Sequence, residues 1–137
     1  MPSNPPENFP RITPYLFYRD VPRALDWLAE AFGFEERTRL TGDDGAVLHA
    51  EMTCEEGVIM LGCPSPDYRN PADLGQTTQG LYVYVDDVDS HCERARKAGA
   101  KISQEPADQE YGDRRYGCSD PEGHDWWFAT ASKEASA

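Results

Sequence analysis

The strongest constraint on this chain is that its pattern occurs twice. Asp20-Val21 is matched by Asp87-Val88 at an offset of sixty-seven, and Gly33 by Gly99 at an offset of sixty-six. Leu16 and Tyr18 are answered by Val83 and Val85. A repeat of this length is one supersecondary unit used twice. A unit of roughly 60 residues buries too little surface to be stable alone, so the two copies are expected to share an interface. Such an interface is where a ligand cleft tends to form.

Each copy reads as βαβββ. In the first, residues 12–18 are rich in aromatic and β-branched side chains and read as a strand, with Pro14 near its start. Asp20 supplies an N-cap carboxylate, and Pro22 falls in the first helical turn, where its missing N–H is not needed. Val21, Leu25, Leu28 and Phe32 recur at helical spacing, and Gly33 ends the helix as a left-handed cap. Strands follow at 34–41, 47–54 and 58–63, separated by the turns Gly42-Asp43-Asp44-Gly45 and Glu55-Glu56-Gly57.

In the second copy, 81–85 is an alternating strand, and Asp86-Asp87 caps a helix with Val88, Cys92, Ala95 and Ala98 as its apolar positions. Gly99 ends that helix. Strands are expected at 101–104, 114–119 and 125–130, the last two joined by the turn Asp120-Pro121-Glu122-Gly123 with Gly123 at positive φ. The organisation is a flexible tail over 1–9, a module over 10–63, a linker loop over 64–79, a second module over 80–130 and a tail over 131–137.

Charge and composition narrow the partners. The 137 residues carry 25 acidic and 13 basic side chains, a net charge of −12, which argues against nucleic acids and anionic membranes. No apolar run approaches the ~20 residues of a membrane span, and the first eight residues do not read as a secretory signal. Cys54, Cys63, Cys92 and Cys118 form no Cys-x-x-Cys pair, and His49, His91 and His124 are scattered, so no structural zinc spacing is present. A cytoplasmic protein with reduced thiols is expected, as is a homodimer, the commonest oligomer.

The tandem βαβββ with Asp120-Pro121-Glu122-Gly123 before the last strand resembles the vicinal oxygen chelate superfamily. Glyoxalase I, bleomycin-resistance proteins and extradiol dioxygenases are members. Thr13-Pro14-Tyr15-Leu16, Ala31-Phe32-Gly33-Phe34, His49-Ala50-Glu51-Met52, Tyr111-Gly112-Asp113-Arg114 and Asp120-Pro121-Glu122-Gly123-His124-Asp125-Trp126 look closest to its PhnB-like branch. The resemblance covers residues 10–130. It implies an α+β fold in which tandem βαβββ modules form a shared curved mixed sheet with a concave cleft.

The resemblance also implies where a divalent metal would be held in the family's enzymes. Those four positions fall here on Thr13, Glu51, Gly80 and Trp127. Only Glu51 is a hard-metal ligand. His49, two residues away on the same strand, shares its face, but two ligands are too few for a catalytic zinc. Asp125 shares a face with Trp127 but sits against a turn. No metal site and no cofactor are therefore expected, and a divalent metal is disfavoured.

Strand alternation sorts the remaining candidates. Tyr82 and Tyr84 should face away from the helix while Leu81, Val83 and Val85 pack under it. Thr13, Tyr15 and Phe17 should face the cleft in the first strand, with His49 and Glu51 beside them. Trp127 should face it in the last strand while Trp126 and Phe128 pack inward. Tyr15, Phe17, Tyr82, Tyr84 and Trp127 suit a small, flat aromatic or amphipathic ligand. Glu51 favours a cationic one, whereas Arg115 at the cleft mouth would favour a carboxylate or phosphate. Each residue also has a plainer reading. The tyrosines and Trp127 fill space between modules, Glu51 pairs with Arg114 or Arg115, and His49 is a structural histidine. His91 and His124 read as surface residues.

Two functions remain. One is a metal-independent binding protein of the bleomycin-resistance kind, with a small molecule as its partner. The other is a lyase or isomerase of the glyoxalase type, in which Glu51, with His49, provides catalytic acid–base or metal-ligand groups. The sequence leaves open whether the protein is an enzyme.

Overall fold

The computed structural model describes residues 2–131, so 132–137 of the expected C-terminal tail lie outside the described residues. The elements are β1 (Tyr15–Phe17), α1 (Val21–Phe32), β2 (Glu35–Thr41), β3 (Val47–Cys54), β4 (Gly57–Gly62), α2 (Pro71–Leu74), β5 (Gly80–Tyr84), α3 (Val88–Lys97), β6 (Lys101–Asp108), β7 (Asp113–Ser119) and β8 (Asp125–Ala131). The chain divides into two compact units, with the boundary between Tyr68 and Arg69.

In the first unit the local signals act as read. The Asp20 side chain accepts from the Arg23 backbone N–H at 3.1 Å, and Pro22 occupies the first turn of α1. Gly33, at φ 79°, closes the helix by donating to the Ala29 carbonyl at 3.1 Å. The sheet order is β1-β4-β3-β2, with β1 parallel to β4 and the other pairs antiparallel. The apolar stripe of α1 packs with Leu16, Ala50, Met52 and Leu61 into a core. Burying each larger side chain there is worth about 1.5–3 kcal/mol. β2 is an edge strand exposed along its whole length, and Glu35, Glu36, Arg37 and Arg39 discourage pairing with another chain.

The second unit repeats the topology as β5-β8-β7-β6, with β5 parallel to β8. The Asp87 side chain caps α3 through the Ser90 N–H at 3.2 Å. Val88, Cys92 and Ala95 of that helix are buried, as are Tyr116, Cys118, Trp126 and Phe128 of the sheet. Burial pushes the Cys118 thiol up to about 12.

The α+β class and the tandem βαβββ order are those expected. The strands hydrogen-bond as two four-stranded sheets, one per module, and not as one continuous sheet. Short turns make β2-β3-β4 and β6-β7-β8 pair locally, and each helix crossover returns the first strand to its own sheet.

Other differences have local causes. β1 is shorter than the expected 12–18. β6 runs to Asp108 rather than ending at 104, because register shifts between Ile102 and Gln104 and between Gln104 and Ala107 accommodate Pro106, which cannot donate to a ladder. The expected linker loop contains α2, held by a capping box in which Asn70 Oδ1 accepts from the Asp73 N–H at 2.8 Å. His91 is half-buried and packed on the sheet: its Nδ1 lies 2.6 Å from the Tyr116 hydroxyl and its ring 4.2 Å from that of Phe128. Three residues after buried Val88 and four before buried Ala95, it shares the face of α3 that packs on the sheet.

The Asp120-Pro121-Glu122-Gly123 turn is structural. Asp120, 5% exposed, accepts from the backbone N–H groups of Glu122 and His124 at 3.1 and 3.0 Å and from the Trp126 indole at 3.0 Å. Gly123 has φ 95°, and a Cβ there would lie 2.5 Å from the Ala72 nitrogen of α2. No helix among the described residues is long and apolar enough to cross a membrane.

Candidate functional site

Each sheet has one face covered by its helix and one open face, and the sequence-predicted residues fall on the open faces. In the first sheet the register aligns Thr38, Glu51, Met60 and Tyr15 in one row across four strands. In the direction of Phe17, which pairs with Gly62, His49 lies one residue beyond the Ala50–Leu61 pair. Leu16 and Ala50 lie on the opposite, buried face. Alternation therefore places Tyr15, Phe17, His49 and Glu51 together.

Their contacts form a chain. His49 Nε2 lies 2.9 Å from Glu51 Oε2, and His49 Nδ1 lies 3.5 Å from the Tyr15 hydroxyl. A proton on Nε2, donated to Glu51, leaves Nδ1 free to accept from Tyr15. The Tyr15 and Phe17 ring centroids are 5.2 Å apart, and Tyr68 stands 6.1 Å from Phe17. Tyr15 lies over Gly62, where a Cβ would come within 2.6 Å of its hydroxyl oxygen.

The arginine beside Glu51 is Arg37, with its Nε 4.0 Å from Oε1. Its guanidinium also lies 4.3 Å from the Phe9 ring centroid, which gives the expected flexible N-terminal tail one specific contact. Arg114 does not take the role considered for it, being engaged with Asp89 and Asp108 at 3.0 and 3.3 Å. Thr13 precedes β1, and its hydroxyl reaches the Pro10 carbonyl at 3.4 Å.

The open face of the second sheet is a polar-aromatic network. Tyr82 and Tyr84 donate to Asp113 Oδ2 at 2.6 and 2.9 Å. The Tyr111 hydroxyl lies 3.1 Å from that of Tyr82 and accepts from Arg115 Nη1 at 3.0 Å. The Arg115 guanidinium sits 4.5 Å from the Trp127 ring centroid, so a cation already occupies part of the indole surface. Trp127 lies across two glycines: a Cβ at Gly117 would meet it at 2.5 Å and one at Gly80 at 3.3 Å. Burial and the Asp113 hydrogen bond raise the Tyr82 phenol well above its ordinary range, and the Asp113 hydrogen bond, then burial, raises that of Tyr84.

Sequence reasoning missed Arg37, Tyr68, Tyr111 and Asp113. Asp113 and Tyr111 stood within a stretch already singled out, but only the β5-β8-β7 register shows that β5 tyrosines reach β7.

The donor set does not fit a divalent metal. Gly80 has no side chain, and the Trp127 indole fills the space in front of it. Trp127 offers only an N–H donor. Among the described residues no three His, Cys, Asp or Glu side chains stand together.

Two modules of one βαβββ topology, each with a helix-covered face and an open face set with aromatic and ionisable side chains, define a class of small paired-module proteins. The chain belongs to the Glyoxalase/Bleomycin resistance protein/Dioxygenase superfamily, whose description matches residues 9–128. It is similar to TioX from Micromonospora sp. ML1, with 35% identity, 88% of this chain and 97% of that chain covered, and a TM-score of 0.73. The uncharacterized protein Mb0911c of Mycobacterium bovis is 32% identical over 132 residues, covering 93% of this chain and 87% of the relative. A Nocardioides member of the superfamily has 18% identity and a TM-score of 0.66, with 93% and 87% covered, a likeness of fold alone.

Proposed function

We propose that this protein binds a small, flat aromatic or amphipathic molecule on the open faces of its sheets, without a metal. The exposure of Tyr15, Phe17, Tyr82 and Tyr84, at 47, 41, 41 and 59%, carries this reading. Aromatic pairs beside polar groups, one pair on the open face of each sheet, resemble the usual lining of a small-molecule site. Glu51 supports a ligand with a cationic group. Membership of a superfamily that includes resistance proteins supports binding without turnover. Assignment to the PhnB-like branch, a cytoplasmic location and a homodimer belong to the same proposal, as does the absence of nucleic acid and membrane partners.

Native mass spectrometry of the purified protein, with a parallel metal assay, tests it. The expected result is no stoichiometric metal, and quenching of Trp127 fluorescence by planar aromatic cations that a chelator leaves unchanged. Trp27 and Trp126 also emit, so Trp127→Phe is the control. A stoichiometric divalent metal, or no quenching by any planar compound, overturns the proposal.

The Tyr15–His49–Glu51 chain favours a second reading, a lyase or isomerase in which His49 and Glu51 move protons. Under it, Glu51→Gln abolishes turnover of a substrate that still binds. Under the binding reading no turnover exists to lose.

A further inference from the structure

The hydrogen bonds of the second sheet have a direction. A phenol has one proton to donate and two lone pairs to accept with. Tyr82 and Tyr84 both give their protons to Asp113. The Tyr82 proton being committed, the bond between Tyr82 and Tyr111 takes its proton from Tyr111, which in turn accepts from Arg115. The donors therefore run from Arg115 through Tyr111 and Tyr82 to Asp113, with Tyr84 joining from the other side. Asp113 is 6% exposed, so a ligand meets the tyrosines and not the carboxylate.

Tyr82 already accepts from Tyr111, whereas Tyr84 has no second hydrogen-bond partner among the described residues and is 59% exposed. Its hydroxyl oxygen turns lone pairs outward beside two rings that stand 5.5 Å apart. The raised phenols of Tyr82 and Tyr84 keep their protons on the oxygens, so the direction of the network holds across the neutral range.

The geometry points to the open face of the second sheet as a specificity element that selects flat ligands carrying an N–H donor, with Asp113 as the positioning residue and Tyr84 as the acceptor. This rests on the binding reading above and names the ligand class for its second face. The Asp113 carboxylate takes the proton of both hydroxyls at its one oxygen Oδ2, which leaves their lone pairs facing outward. Asp113→Ala removes that acceptor, and the freed hydroxyls present a proton as readily as a lone pair.

Paired probes separate the hydrogen bond from charge and shape. Acridine orange, protonated at its ring nitrogen, carries one N–H. Its N-methyl derivative has the same charge and ring system and no N–H. Fluorescence titration of the full chain should show acridine orange binding about tenfold tighter, the worth of one charge-assisted hydrogen bond. Tyr84→Phe should bring the two probes to equal affinity, and Asp113→Ala should shrink the preference. Tyr84→Phe keeps the ring and decides the test where Asp113→Ala does not fold. It also separates a hydrogen bond from methyl crowding, since crowding persists without the hydroxyl. Equal binding of the two probes to the wild type, or a preference that survives in Tyr84→Phe, overturns this inference and leaves the binding reading standing. Binding of neither probe overturns the inference, and failure of every planar compound overturns the binding reading as well.

Discussion

His49 Nε2 lies 2.9 Å from Glu51 Oε2, a contact between two residues on one strand separated by a single buried alanine. Residues i and i+2 of a strand share a face, so this pair is built into β3. What surrounds it is supplied by other strands: Tyr15 from β1 and Arg37 from β2.

The position of Arg37 fixes the sign of a first prediction. Its Nε, 4.0 Å from Glu51 Oε1, competes with any cationic ligand. Arg37→Ala should tighten binding of a planar cation by about two- to fivefold, the scale of a partly exposed ion pair. Glu51→Gln should weaken it by about tenfold. Titration of one cationic dye against both variants checks this, and two shifts in the same direction would count against Glu51 as anchor.

Glycine positions give a second prediction. Gly117→Ala places a methyl 2.5 Å from Trp127 and 2.9 Å from Ser103 Oγ, so the indole must leave the sheet surface. Overpacking of this kind costs about 1–3 kcal/mol. Urea denaturation should show that loss, together with a shift in tryptophan emission. Gly62→Ala meets Tyr15, an exposed ring that is able to swing away. It should leave the urea midpoint close to wild type.

A third prediction concerns the turn before β8. Asp120→Ala removes the acceptor of two backbone N–H groups and of the buried Trp126 indole. Unsatisfied buried donors cost about 1–3 kcal/mol each, so this should be among the most destabilising single changes. A thermal midpoint equal to that of the wild type would exclude the assigned role.

Alkaline pH supplies a fourth. Tyr82, Tyr84 and Tyr116 are all raised above 10.0, Tyr116 chiefly by burial, and the Cys118 thiol is raised from 9.0 to about 12. Each holds its proton more tightly folded than unfolded. The stability this gives is complete below the unfolded values and is lost as pH rises through the folded ones. From neutral pH the urea midpoint should hold level up to about pH 9.0 and fall above it. Spectrophotometric titration should show Tyr82, Tyr84 and Tyr116 ionising late. In Asp113→Ala, Tyr84 should rejoin the ordinary group, its hydrogen bond being the larger cause, and Tyr82 should do so only in part.

Much of this molecule is written in short-range chemistry. Asp20 and Asp87 start helices because a carboxylate satisfies N–H groups three residues on, and Gly33 and Gly99 end them because left-handed backbone costs glycine little. Alternation along a strand separated Trp127 from Trp126 and Phe128, and Tyr15 and Phe17 from Leu16. The short helix at Asn70-Pro71-Ala72-Asp73 falls in a stretch read as loop, because its proline content outweighed the capping order of Asn, Pro and Asp.

Cross-strand register was not legible, and it decides the site. The sequence places Tyr82 and Tyr84 on one face of β5, but only the paired strands bring their hydroxyls to Asp113, 31 and 29 residues away. Likewise it marks Glu51 as ionisable, and only the β2–β3 pairing makes Arg37 its neighbour rather than Arg114 or Arg115. Local patterns fix which face a side chain takes, because that depends on the pleat of its own strand. Which distant group it meets depends on register and bulges, set by the packing of many residues at once.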